Sequence, residues 1–164
     1  MLKDTRTITL SQGKVAIVDA SDFDWLSQWK WIADRRPHGF YVSRKEVGAG
    51  PNSRNIYMHR FIMLEPKGMM VDHVNHDPLD NRRANLRICT RTENLRNRTS
   101  LVGSSSKYLG VSWQAQSRKW QAHIRWNGKS RYLGLYANED DAARAYDAAA
   151  REHFGEFANP NFPS

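Results

Sequence analysis

Two short apolar runs, MMV at positions 69–71 and LRIC at 86–89, frame a stretch in which nearly every side chain is polar, DHVNHDPLDNRRAN. This arrangement constrains the local fold more than any other feature of the chain. Apolar runs of three or four residues are too short for buried helices and suit strands. DPLDNRRAN, with Pro, Asp and Asn, reads as the turn between them. Thr90 to Glu93 then spells T-x-x-E, in which each side chain caps the other's backbone amide and starts a helix. The spacing predicts strand (MMVDHV), loop, strand (LRIC) and helix, with Asn94 in the first helical turn. A plain surface turn needs far fewer functional groups than this loop carries.

The residue types point to phosphate chemistry. Asp72, at the end of the first strand, is expected to face Asn94 across a small gap. A carboxylate and an amide carbonyl are hard oxygen donors, suited to Mg2+ or Mn2+ and poorly suited to zinc. The helix N-terminus favours an anion beside them. His73 follows Asp72 directly, and at a strand end its imidazole reaches a water molecule, as a general base near neutrality must. Asn85 closes the loop, either as a turn residue or by a hydrogen bond across it that fixes the approach of His73. Arg82, Arg83 and Arg87 are placed to hold phosphates. The spacing alone leaves blander roles open: His73 in packing, Asn94 as a solvated helix position. His76, three residues after His73, invites a zinc site, but the single cysteine, Cys89, leaves it without thiolate partners.

Charge narrows the partners. The chain has 164 residues, one domain or two small ones, and a formal charge of +8, which favours polyanions, nucleic acid above all. Between Asn94 and Asn138 no Asp or Glu occurs, while Arg96, Arg98, Lys107, Arg118, Lys119, Arg125, Lys129 and Arg131 do. A solvated surface usually mixes its signs, so this span reads as phosphate-facing. No apolar run has the length of a membrane span and MLKDTRTITL lacks a signal-peptide core, so a soluble, cytoplasmic protein is expected. One cysteine excludes an internal disulfide.

Residues 1–58 mix strand patterns (TITL, KVAIVD, GFYVSR, NIYM) with DFDWLSQWKW, where Trp25 and Trp29 fall on one face of a short helix, and are expected to pack with the strand–strand–helix core. VGAGPNSRN reads as an exposed turn. Residues 59–98 hold the polar segment, and TSLVGSSS at 99–106 has linker composition. In 107–164, GVSWQAQ, KWQAHIRW and SRYLGLY alternate as half-buried strands, with Asn127-Gly128 as a tight hairpin. EDDAARAYDAAAREHF follows as a helix that Gly155 stops. Trp120, Ala122, Ile124 and Trp126 are expected to pack on Ala142, Ala143, Tyr146 and Ala150. Gln121, His123 and Arg125 face away, on a polar sheet surface able to enter a major groove. The fold class is α+β: a strand–strand–helix core plus a three-stranded antiparallel sheet on one helix.

Asp72, His73, Asn75, Asn81, Asn85, Leu86, Arg87, Thr90, Glu93 and Asn94 resemble the pattern of HNH homing endonucleases of the phage and intron-encoded branch, whose core is a ββα-metal fold. The resemblance implies His73 as general base, Asn85 as the residue orienting the loop, and Asp72 with Asn94 as ligands of a divalent metal. YMHRFIM resembles the segment leading into these motifs; for His59 we favour packing or phosphate contact. KYLGVSW, KWQAHIR, YLGLYANEDDAARAYDAAA and ANPNFP resemble the plant ethylene-responsive-factor (Apetala-type) DNA-binding domain. That resemblance implies DNA-facing positions at Ser112, Gln114, Gln121, His123, Arg125, Ser130 and Tyr132. The plant pattern has arginine where Leu109 and Ser112 stand, so binding transfers but the bound sequence does not.

The combined expectation is a metal-dependent endonuclease that acts as a monomer on double-stranded DNA and nicks one strand per event, with Arg96, Arg98, Lys107, Arg118 and Lys119 adding backbone contacts. A non-catalytic DNA-binding regulator with a decayed nuclease core is the first alternative, and an RNA-binding module the second.

Overall fold

The computed structural model describes residues 4–37, 39–46, 53–97 and 103–162. The chain divides into two compact units, residues 1–94 and 95–164, and the architecture is α+β.

The first unit opens with an antiparallel hairpin, β1 (Thr5–Thr9) and β2 (Val15–Asp19), followed by α1 (Ala20–Leu26). An antiparallel sheet follows in the order β3 (Ile32–Arg36), β4 (Gly39–Lys45) and β5 (Asn55–Tyr57). Next come α2 (Met58–Met63), β6 (Met70–His73), β7 (Leu86–Cys89) and α3 (Arg91–Arg96), with β6 and β7 paired antiparallel. One apolar core, including Val18, Leu26, Trp31, Ala33, Val42, Met58, Ile62, Val71 and Leu86, joins β1–β4, α1, α2, β6 and β7.

Two local expectations change here. The helix carrying Trp25 ends at Leu26, where the Ser27 N–H bonds the Phe23 carbonyl at 2.8 Å, so Trp29 lies beyond it. The two indoles still meet edge-on at 6.2 Å, and Phe61 packs against both. Strand β3, IADRR, was hidden because three consecutive charges erase its alternation; its pairing with β4 carries it. Of the turn expected in VGAGPNSRN, residues 47–52 lie outside the described residues; just before and after them the Glu46 N–H donates to the Arg54 carbonyl at 3.1 Å.

The second unit contains β8 (Val111–Gln114), β9 (Lys119–Trp126) and β10 (Lys129–Tyr136), in the antiparallel order β10-β9-β8, and α4 (Glu139–Phe154). Asn127 and Gly128 both have positive φ, +49° and +74°, the backbone of a two-residue hairpin turn. Helix α4 starts with Glu139, Asp140 and Asp141 on its positive end and stops at Gly155, φ +53°. Ala142, Ala143 and Ala150 are fully buried against a sheet face containing Val111, Ala122 and Ile124. Such close approach needs small residues. Gly110 is one, since a Cβ there would collide with the Tyr146 ring and the His123 carbonyl.

Part of the expected linker is folded. Residues 99–102 lie outside the described residues, but the Ser105 hydroxyl accepts the Trp113 N–H at 2.9 Å and the Ser106 hydroxyl donates to Glu139 at 2.7 Å. No helix among the described residues is long and apolar enough to cross a membrane.

Asp147 closes the C-terminal end. Its buried carboxylate accepts the Asn161 and Phe162 backbone N–H groups at 2.7 and 2.9 Å and the Asn161 amide at 3.0 Å. Removing it strands several donors, so Asp147→Ala is expected to lower stability by about 3 kcal/mol. Urea unfolding followed by tryptophan fluorescence checks this, and an unchanged midpoint would refute it.

Candidate active site at the β6–β7 loop

Alternation along β6 decides which side chains can cooperate. Met70 and Asp72 share one face, Val71 and His73 the other. The register sets Asp72 opposite Arg87, and a directly opposed pair of unlike charges attracts. Arg87 accordingly donates to Asp72 Oδ2 from Nε at 3.2 Å and Nη2 at 2.9 Å. The expectation of Arg87 as a phosphate holder therefore meets a guanidinium already engaged, with its side chain 14% exposed. The same holds for Arg82, paired with Asp80 at 2.5 Å, and Arg83, whose Nε meets Asp22 at 2.8 Å.

The T-x-x-E box forms as the spacing predicts. Glu93 Oε2 accepts the Thr90 N–H at 2.7 Å, and the Thr90 hydroxyl accepts the Glu93 N–H at 3.3 Å. This start of α3 brings Asn94 to β6, where its Nδ2 approaches Met70 Sδ at 3.9 Å. Asn94 thus lies against a residue that shares the Asp72 face. Cys89 is on that face too, but burial first, then Asp72, pushes its thiol up to about 11, so it stays protonated and offers no thiolate. Among the described residues no group of three or more His, Cys, Asp or Glu is arranged to hold a metal. The donor set expected from the sequence, Asp72 and Asn94, is one carboxylate and one amide oxygen. That chemistry fits Mg2+ or Mn2+, which keep waters and substrate oxygens as remaining ligands. It does not fit zinc.

His73 is the last residue of β6, and its ring is buried, with the residue 6% exposed. A strand-end position predicts an imidazole open to water; aromatic neighbours from other elements close around it instead. His59, on α2, stands edge-to-face at 4.9 Å and Tyr41, on β4, at 6.3 Å. Burial lowers the His73 pKa, opposed by the Asn81 amide and by Asp72, Asp77 and Asp80. A neutral imidazole results, the form that can accept a proton. His76 is exposed in the turn with φ +63° and joins neither group.

Asn85 crosses the loop. Its Oδ1 accepts the Asn75 N–H at 2.9 Å, its Nδ2 donates to the Asp80 carbonyl at 2.8 Å, and its own carbonyl accepts the Val74 N–H at 2.9 Å. The loop is also held from a distance. Strand β2 pairs with it in parallel at Ile17 and Asp80, through Ile17 N–H to Leu79 O at 2.9 Å and Asn81 N–H to Ile17 O at 2.7 Å. Asp19 accepts the Arg83 N–H at 2.8 Å. The sequence leads one to expect packing of residues 1–58 on this core, but not these particular partners. The excess of Asp at 19 and 22 just after an apolar strand was the available signal.

In the second unit, cross-strand pairs Ser112↔Gln121, Tyr132↔His123 and Ser130↔Arg125 bring the expected DNA-facing residues onto one sheet face, with Gln114 beside Lys119. Alternation sets this face opposite the one packed on α4. Arg118 and Lys119 are exposed at the β8–β9 turn, Lys107 lies over Tyr108 and Arg96 over Phe154. Arg98 lies outside the described residues.

Residues 64–96 match the HNH endonuclease family. Over 156 residues, 92% of this chain and 76% of the relative, the sequence is 29% identical to a protein named uncharacterized HNH endonuclease from Acanthamoeba polyphaga mimivirus. An AP2-like ethylene-responsive transcription factor of Arabidopsis thaliana is 37% identical over 76 residues, 40% of this chain and 25% of the plant protein. APETALA2-like protein 2 of Oryza sativa subsp. japonica is 43% identical over 58 residues, 35% of this chain and 13% of the plant protein. The chain thus spans only a small part of these plant relatives.

The buried histidine pair makes the first unit acid-sensitive. Burial first, then His73 and Arg60, lowers the His59 pKa to about 3. Since the folded value lies below the unfolded one, the unfolded chain binds more protons between about pH 6.5 and 3. Stability is expected to be full above pH 6.5 and to fall through that window, by up to about 1.4 kcal/mol per pH unit for this group. Denaturant unfolding at stepped pH checks it: His59→Phe should flatten the slope, and an equal slope would contradict the assignment.

Proposed function

We propose that this chain, with its HNH endonuclease segment at residues 64–96, is a divalent-metal-dependent DNA endonuclease of the homing type. The observation that supports the reading is the ordering of the β6–β7 loop: Asp72 and His73 finish β6, Asn85 ties the loop behind them, and Asn94 approaches Met70, two residues before Asp72 on the same strand face. The family match over this same segment supports the nuclease role.

The roles divide by chemistry. Asp72 and Asn94 would hold the ion, and when bound it supplies positive charge for the phosphoryl and leaving oxygens of a phosphodiester. Arg87 aims the Asp72 carboxylate by its two N–H bonds. His73, neutral through burial, takes the proton of the attacking water. Asn85 fixes the backbone on which His73 ends, so the imidazole does not drift from its approach. One centre per chain nicks one strand per event. The face bearing Ser112, Gln114, Gln121, His123, Arg125, Ser130 and Tyr132 contacts duplex DNA, and the likeness to AP2-type transcription factors supports that role. Tethering the two modules raises the concentration of each at the other's site.

A non-catalytic DNA-binding protein is the second reading, favoured by the engagement of Asp72 with Arg87 and the burial of His73. Relaxation of supercoiled plasmid with Mg2+ or Mn2+ separates the two. The intact chain is expected to nick, and His73→Ala to lose at least about 100-fold in rate. No nicking by the intact chain, or full nicking by His73→Ala, would overturn the nuclease reading.

A further inference from the structure

Arginines in the first unit mostly face carboxylates: Arg36 with Asp34, Arg60 with Glu65, Arg82 with Asp80, Arg83 with Asp22 and Arg87 with Asp72. Arg44, near the end of β4, is held differently. Its guanidinium carbon lies 4.8 Å from the Trp29 ring centroid, 5.3 Å from Phe61 and 5.7 Å from Trp31. Aromatic faces attract a guanidinium and fix its plane while leaving its N–H edges to other acceptors. Its Nη1 makes one long bond, 3.4 Å, to the Lys45 carbonyl, and its Nε is buried with no hydrogen-bond partner. A buried donor of this kind calls for an acceptor.

Beside it is an open cavity of about 310 Å³ lined by Trp29, Lys30, Ile32, Arg44 and Lys45. That size is at the small end of ligand cavities. Among the described residues the lining combines three cations with an indole and includes no carboxylate. Lys30 and Lys45 are exposed, Arg44 half-buried. An aromatic platform holding a guanidinium fork, flanked by two exposed ammonium groups, of which Lys45 also donates to the Ser53 carbonyl at 3.4 Å, suits a monoanionic oxygen cluster with a carbon skeleton attached.

We propose that this cavity binds a backbone phosphate of the DNA substrate, Arg44 taking the phosphate oxygens and Trp29 the flanking sugar, with Lys30 and Lys45 drawing the strand in. The proposal rests on the nuclease reading for its substrate, but gives the N-terminal unit a DNA contact of its own, apart from both the β6–β7 loop and the C-terminal sheet. Such a contact positions the duplex without reading its sequence.

The test is equilibrium binding of a fluorescein-labelled duplex oligonucleotide to the full chain, in EDTA and across a salt series, alongside plasmid nicking with Mn2+. Lys30→Ala/Lys45→Ala removes two exposed charges without touching the core. It is expected to weaken binding about 10-fold at low salt and to reduce the slope of log affinity against log salt by about 2. Arg44→Lys, which keeps charge and stem but loses the fork, is expected to weaken binding with little change in slope. Unchanged affinity and slope in the double variant would overturn the cavity assignment, even if the chain nicks normally. If the intact chain fails to nick while the double variant still loses affinity, the nuclease reading falls and the phosphate site stands.

Discussion

A loop of some dozen residues between two short strands has too few internal partners to hold one shape, and everything assigned to the β6–β7 segment depends on this loop keeping its form. Two sets of bonds supply what the loop lacks. Asn85 satisfies the Asn75 amide and the Asp80 carbonyl from within. Strand β2 completes the outer side by accepting Asn81 and donating to Leu79, and Asp19 and Asp22 anchor Arg83. Buried backbone polar groups must find partners. Here they find them in a strand more than sixty residues earlier. The N-terminal region is thus a structural part of the loop's support, and a loop cut from it would lose its bonds to β2, Asp19 and Asp22.

With the loop fixed, alternation on β6 gives its two faces different work. One carries Asp72, held by Arg87, and Met70, which Asn94 approaches. The other buries His73 among His59 and Tyr41. Desolvation favours the uncharged imidazole and outweighs the three carboxylates nearby, which work against it. Neutrality of His73 is therefore a property of packing from α2 and β4, elements that carry no part of the recognisable motif.

What could be read in the sequence was local. The capping box at Thr90 and Glu93, the Asn127-Gly128 turn, the stop at Gly155 and the alternation of KWQAHIRW each involve residues within a few positions of one another, and the structure has all of them. What escaped was long-range. Strand β3 has no alternation and exists because β4 pairs with it. Arg82, Arg83 and Arg87 looked like open cations until the fold brought Asp80, Asp22 and Asp72 to them. Ser105 and Ser106 had the composition of a linker, yet a short side chain that caps Trp113 or reaches Glu139 is composition put to structural use. Periodicity states which face is apolar but not which distant element will cover it, and that missing information decided the burial of His73.

Cations face carboxylates around the β6–β7 loop, whereas Lys119 and Arg125 are exposed on the β8–β9–β10 sheet and Lys30 and Lys45 are exposed beside Trp29. The claim most exposed to refutation is that Asp72 and Asn94 share one divalent ion. Titration of the full chain with Mn2+, read by the electron paramagnetic resonance of the free aquo ion, tests it directly. The account expects one site per chain, abolished in Asp72→Ala, weakened in Asn94→Ala and retained in His73→Ala. No binding by the intact chain, or undiminished binding by Asp72→Ala, would contradict it.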